Sequence, residues 1–229
     1  MAAGRIAAHH LLLAYPAAVP ALDDASLQLA VEALAARDSD LAGIVARHGS
    51  PPLWAREPGF ESLVQIILEQ QVSLGSAIAA VGRLRSALGI DASARLTPRA
   101  VLELGEGAMR AAGLTRQKAG YLIGLASDLT SGRLDLAAVA AASDEDARTT
   151  LTTVAGIGRW TADIYLLMAL GPPDIWPDGD LALAGAMRIA KGLATLPSRE
   201  DQRAIAAAWQ PWRAVAARIL WHAYLAGER

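Results

Sequence analysis

Two features of the stretch 151–180, LTTVAGIGRWTADIYLLMALGPPDIWPDGD, have the residue types and spacing for chemistry. The first is the turn Val154-Ala155-Gly156-Ile157-Gly158, two glycines flanking one apolar residue just before a helix. Glycine accepts a positive φ and has no Cβ to keep a partner away. Such a turn leaves the amides of Gly156, Gly158 and the first helical residues pointing outward, which makes an anion site suited to a phosphate. The plainer reading is a helical hairpin whose glycines only permit the turn. The second feature is Asp180, a carboxylate at the start of the next helix. It is a candidate to stabilise a developing positive charge and to orient or deprotonate water. Its plainer reading is an N-cap, and Asp178 competes for either job.

The neighbouring elements have to hold these groups. Leu151, Val154 and Ile157 fall three apart and plug the turn into a core. Trp160, Ile164, Leu167 and Met168 continue that face along a helix expected from Arg159 to Leu170. Gly171-Pro172-Pro173 breaks the chain before Asp180, and a helix is expected from there to about Leu193. Earlier helices are expected from Asp23 or Asp24 to Ala36, from Asp38 or Ser39 to Gly49, from Gly59 to the Glu69–Ser73 region, and from Leu74 to Leu88. A short helix should begin at Thr97-Pro98, a long one after Thr115, and one at Ser143 leading into the hairpin. Later helices should begin at Ser198 and at Pro211, the last running from Trp212 to about Ala226 with the proline in its first turn. No strand-like alternation stands out, so the expected class is all-α.

Composition narrows the functions. The chain has 229 residues, no cysteine and a formal net charge of −2. Disulfides, zinc–thiolate sites and iron–sulfur clusters are excluded by the missing thiols. No apolar run reaches the length of a membrane span. Residues 5–22 have a faint leader-like look, yet Arg5, His9, His10 and two prolines interrupt it, and the reading retained is a cytoplasmic protein. Charge is uneven: residues 83–133 hold eight Lys/Arg against four Asp/Glu, and residues 186–229 seven against three. A locally basic face is thus available on a mildly acidic molecule.

The string LTTVAGIGRWTA, with the aspartate of PDGDLAL twenty residues beyond Trp160, resembles the helix-hairpin-helix DNA glycosylase superfamily, and within it the 3-methyladenine DNA glycosylase II family. FESLVQIILEQQVSLGSA, GLTRQKAGYL and QPWRAVAARILWHAY are similar to further segments of that family, so the likeness spans roughly residues 52–226. It implies two helical lobes with a cleft between them. One would cover 59–172 and carry the hairpin at about 148–170; the other would combine 1–58 with 173–229. Asp180 would be the catalytic carboxylate. Gly156, Gly158 and Thr161 would meet DNA, and Gln71 would fill the gap left by an extruded base. Gln70, Arg116 and Lys118 are further DNA-binding candidates. For both glutamines the alternative is a helix end whose amides satisfy loop carbonyls, and for the two basic residues it is solvated surface. Trp160, Trp221 and, less directly, Trp54 would face the base; Trp176, Trp209 and Trp212 are assigned to the core. The resemblance also implies a sodium or potassium ion on the backbone carbonyls of Thr152, Val154 and Ile157, and otherwise no required cofactor. The implied partner is double-stranded DNA with alkylated bases, bound by a monomer with no membrane association.

One substitution narrows the expected reaction. Family members that also cut the strand have a lysine where this chain has Trp160, and an indole has no nucleophilic amine. The two lysines, Lys118 and Lys191, stand outside the motif. A hydrolytic enzyme without a lyase step is therefore expected. An N-alkylated purine is already cationic and needs little leaving-group help, which suits a site with no obvious second acid. Other readings are a glycosylase of the same fold for a neutral base, and a non-enzymatic DNA-binding module. Against the longer family members, the sequence is expected to lack their large mixed N-terminal domain. It also has Ile164 where a relative has tyrosine, with Tyr165 one place off and expected to face elsewhere.

Overall fold

The computed structural model describes residues 21–91 and 93–228, so the leader-like pattern at 5–22 lies outside the described residues except for its last two positions. Among the described residues the fold is all-α: twelve α-helices and one π-helical segment, with no strand. None of these helices is long and apolar enough to cross a membrane.

Local chemistry sets most helix starts. Asp23 caps α1 (Asp24–Arg37) in a reciprocal box with Ser26, and Asp38 caps α2 (Ser39–His48) through the amides of Asp40 and Leu41. α3 (Phe60–Glu69) has seven buried residues among its ten, and α4 (Leu74–Leu88) starts on Ser73. The helix expected to be short is α5 (Pro98–Ala111), fourteen residues bent at Gly105, where the backbone leaves helical geometry. Thr115 caps α6 (Arg116–Thr130). A six-residue helix α7 (Leu136–Ala141), capped by Asp135, was not expected; its alanines give little periodic signal. Ser143 caps α8 (Asp144–Thr152).

The hairpin leads into α9 (Arg159–Tyr165), which then widens into a π-helical turn, Leu166–Leu170. Gly171, in the left-handed region, closes that turn by donating its N–H to Leu166 O at 2.8 Å. A π turn changes the backbone pairing and leaves carbonyls free for other partners. Here Leu167 O accepts from Arg218 and Met168 O from the Arg56 amide. After the break come α10 (Leu181–Ala190), α11 (Arg199–Ala207, capped by Ser198) and α12 (Arg213–Leu225). α10 stops short of Leu193 because Gly192 turns the chain. Pro211 is not in the first turn of α12: its bond to Gln210 is cis, Trp212 is the N-cap, and the helix begins at Arg213.

Helices α3 to α9 pack on one another, and α1, α2, α10 and α11 gather around α12. Every residue of α12 from Ala214 to Trp221 is buried, including Arg218. That guanidinium meets no carboxylate among the described residues. It donates to Leu53 O at 2.8 Å, Leu167 O at 2.8 Å and Ala214 O at 3.0 Å, tying α12 to the π turn and to the irregular segment before α3. Burial pushes its pKa down to about 10, so it stays charged at neutral pH. The two groups of helices are thus joined next to the loop that delivers Asp180.

Candidate active site

A cavity of about 850 Å³ opens where the end of α3, the start of α6, the hairpin and the start of α10 meet. Gln71, Tyr121, Gly156, Gly158, Trp160 and Asp180 all line it. Leu151, Val154 and Ile157 are buried beneath the turn, as their spacing required.

Any side chain at Gly156 would be strained and would clash. Its φ is +89°, and a Cβ there would lie 2.3 Å from the Tyr121 ring. Gly158 differs: φ is −85° and a Cβ would meet nothing within 4 Å, so its open side is space for a ligand. Helix α9 has no side-chain cap, and the Gly156 and Gly158 amides find no acceptor among the described residues. Those orphan N–H groups and the helix dipole favour an anion.

Asp180 is the N-cap of α10 and also borders the cavity. Oδ1 accepts from the Leu183 amide at 2.8 Å, which caps α10. Oδ2 accepts from Trp160 Nε1 at 2.9 Å, and Trp221 Nε1 lies 3.3 Å from Oδ1. Three N–H groups therefore orient a carboxylate that keeps 9% exposure and borders the cavity. Asp178 does not border it. It lies 3.7 Å from Arg159 and 3.5 Å from Arg203, and its backbone N–H reaches toward Asp163.

Other expected residues sort by what they touch. Gln70 donates to Gly156 O at 2.8 Å and to Thr161 Oγ1 at 2.9 Å, so it satisfies a loop carbonyl and fixes the hairpin to α3. Thr161 is buried in that contact. Gln71 is exposed at the cavity with φ +57°, a left-handed conformation that costs a non-glycine residue and projects the loop. The Lys118 ammonium does not stand free for a phosphate: it donates to Leu68 O at 2.8 Å and Gln70 O at 3.0 Å, the carboxyl end of α3. Burial pushes its pKa down. Arg116 is exposed on the first turn of α6 and does not line the cavity. Trp54 does not reach Asp180; it packs edge-on against His222 with ring centroids 6.2 Å apart. Tyr165 faces away, as expected, and its hydroxyl accepts from the Gly59 amide. Trp176 and Trp209 are buried, with Trp212 packed against the same core.

Sequence reasoning missed the pair of half-buried Arg148 with buried Asp163, 2.6 Å apart, which anchors α8 to α9 on either side of the hairpin. Burial pushes the Asp163 carboxyl up, and the guanidinium opposes that shift. Nothing in a fifteen-residue separation signals the contact. Arg218 was legible in principle, as a lone charge in the apolar run AVAARILW.

Comparison with known proteins identifies the family and the fold. The profile of the HhH-GPD superfamily of base excision DNA repair proteins matches residues 64–213. A putative DNA-3-methyladenine glycosylase of Bacillus subtilis is 26% identical over 186 residues, covering 80% of this chain and 65% of its own. A DNA-3-methyladenine glycosylase of the same organism is 27% identical over 177 residues, covering 71% and 56%. The chain thus spans about three fifths of the length of these curated relatives. The solved structure of a Schizosaccharomyces pombe 3-methyladenine DNA glycosylase, in complex with abasic DNA, superposes with a TM-score of 0.79 at 25% identity, over 88% of this chain and 98% of that one. Both the fold and the sequence profile lead to one assignment: the chain belongs to the HhH-GPD superfamily of base excision DNA repair proteins.

Proposed function

We propose that this chain is a monofunctional DNA glycosylase that removes N-alkylated bases of the 3-methyladenine and 7-methylguanine type from double-stranded DNA. The observation that carries the reading is the Asp180 carboxylate, oriented by three N–H donors in the same cavity as the free amides of Gly156 and Gly158. The similar glycosylases named above support the substrate class.

The base must leave the duplex stack before the bond to C1′ can break. The Gly156 and Gly158 amides and the start of α9 hold a phosphate, and exposed Gln71 enters the gap in the stack. As the glycosidic bond lengthens, positive charge builds on the sugar, and Asp180 stabilises it and orients water toward C1′. The cationic base departs without a protonating acid. Trp160, at the place of the lyase lysine, donates a hydrogen bond to Asp180 and offers no amine, so the product is an abasic site in an intact strand.

The two groups of helices act as lobes, 59–172 and 1–58 with 173–229, with the cavity at their junction. The carbonyls of Thr152 and Ile157 accept no hydrogen bond among the described residues, and Val154 O accepts only from the Ile157 amide. That oxygen set fits a sodium or potassium ion, which would add positive charge beside the phosphate site. A cytoplasmic monomer needing no other cofactor is part of the same proposal.

The test is base release from methylated duplex DNA by the wild type and Asp180→Asn. Wild type should release the alkylated purine, and the variant should bind DNA yet release almost none. Equal release by both would remove Asp180 from the mechanism. Release of uracil or hypoxanthine but not of alkylated purines would favour a neutral-base enzyme, and binding with no release would favour a DNA-binding module.

A further inference from the structure

Three arginines stand beside the turn that carries Asp180, and among the described residues none has a carboxylate within hydrogen-bonding geometry. Arg159, the first residue of α9, has Nε 3.7 Å from Asp178 Oδ2 and 3.8 Å from Asp163 Oδ2. Arg203 on α11 donates its Nε–H to Arg199 O at 3.2 Å, which leaves its terminal nitrogens for a ligand, and the same Nε lies 3.5 Å from Asp178 Oδ1, an oxygen that is buried and accepts no hydrogen bond among the described residues. Arg199, one turn earlier on α11, lies across Gly179: a Cβ at that glycine would come within 2.9 Å of its Nε and Cζ. All three side chains are exposed.

The nearby acids do not cancel them. Asp163 is already paired with Arg148 at 2.6 Å. Asp201 is turned to Ser198 in the capping box of α11. Asp178 is one carboxylate between two guanidinium groups, which it attracts without satisfying their donors, and Glu200 is the remaining acid on that turn. A guanidinium keeps its charge and presents a planar fork of donors that matches a phosphate. The group adjoins Gly179 and Asp180, which border the cavity, and Arg159 follows directly on Gly158.

We infer that Arg159, Arg199 and Arg203 form a second phosphate grip, for the same DNA strand whose nucleotide enters the Asp180 cavity. The inference rests on the glycosylase reading and extends it. The hairpin amides hold one phosphate, and the arginines hold another across the extruded sugar. Pinning the backbone on both sides of a flipped nucleotide keeps it from collapsing back into the stack. Buried Asp178 orders two of the arginines before DNA arrives, which lowers the entropy lost on binding.

The experiment measures binding of a duplex containing a tetrahydrofuran abasic analogue, as a function of salt, by wild type, Arg199→Gln/Arg203→Gln and a control, Arg99→Gln/Arg133→Gln. The control removes the same charge at the end of the α5–α6 hairpin away from the cavity. The inference expects the first variant to lose affinity about tenfold, with the slope of log Kd against log salt reduced by about 1 to 2. The control should match wild type. Equal losses in both variants, or wild-type affinity and slope in the first, would overturn it. A wild type that does not prefer the abasic duplex to undamaged duplex would instead remove the glycosylase reading, and this inference with it.

Discussion

Trp160 donates its indole N–H to Asp180 Oδ2 at 2.9 Å, joining the first turn of α9 to the N-cap of α10 across twenty residues of chain. The two residues arrive on different helices, so this bond records how the hairpin and the carboxylate are registered. It also fixes the plane of the carboxyl group, since Oδ1 is held by the Leu183 amide.

Replacing Trp160 by Phe removes that donor and keeps an aromatic ring. Hydrogen bonds to charged groups contribute about 1.5–3 kcal/mol. Stability should fall by about that amount, and the single-turnover rate of base release should fall about tenfold or more, because the carboxylate loses one of its three orienting N–H groups. No borohydride-trapped adduct should form with wild type or variant, and a trapped wild-type adduct would show a lyase step through an amine.

The hairpin glycines should separate under alanine substitution. Gly156→Ala meets both a positive φ and the Tyr121 ring, so it should cost about 2–3 kcal/mol of stability. Gly158→Ala has an allowed φ and open space, so it should keep its Tm and lose affinity for abasic duplex. Chemical denaturation and a binding titration together read both outcomes. Two variants with matching profiles would mean that Gly158 does not face the DNA.

Asp38, Lys191 and Trp209 give stability a defined pH dependence. Asp38 accepts from Lys191 Nζ at 2.8 Å and from Trp209 Nε1 at 2.7 Å. Burial alone would raise its pKa, but these hydrogen bonds outweigh it and the pKa is lowered. Its contribution is therefore present above the unfolded value of about 3.9 and is lost as pH falls through the lower folded value. Lys191 is shifted up: burial opposes, but Asp38 and Asp40 prevail. Its contribution is present below the unfolded value of about 10.4 and is lost as pH rises through the folded one. Asp38→Asn should flatten the acid limb of a Tm–pH curve, and an unchanged limb would contradict the assignment.

Arg218→Leu would leave carbonyls of Leu53 and Leu167 in the interior without their donor. An unsatisfied buried acceptor costs about 1–3 kcal/mol, so the variant should lose roughly 3 kcal/mol or more in urea denaturation. Because Arg218 sits three residues before Trp221 and holds the π turn, the fraction that remains folded should also release bases more slowly. Wild-type stability would show that the neighbouring backbone repacks freely.

Much of this protein could be read from local patterns. Helix caps at Asp23, Asp38, Thr115, Ser143 and Ser198 are short-range hydrogen bonds, so residue order alone specifies them. The same holds for the glycine turn at 156–158 and for Asp180 at a helix start, because a backbone conformation and a cap depend on only a few neighbours. The π turn escaped because it depends on partners elsewhere, Arg218 and Arg56. Which aspartate serves the cavity was likewise undecided by spacing. Asp178 and Asp180 lie two apart at a helix entrance, and the packing of α9 and α10 turns one toward Arg159 and Arg203 and the other toward two indole N–H groups. Tertiary contacts alone made Gln70 and Lys118 struts and left Gln71 exposed, since a long polar side chain takes its role from the acceptors within its reach.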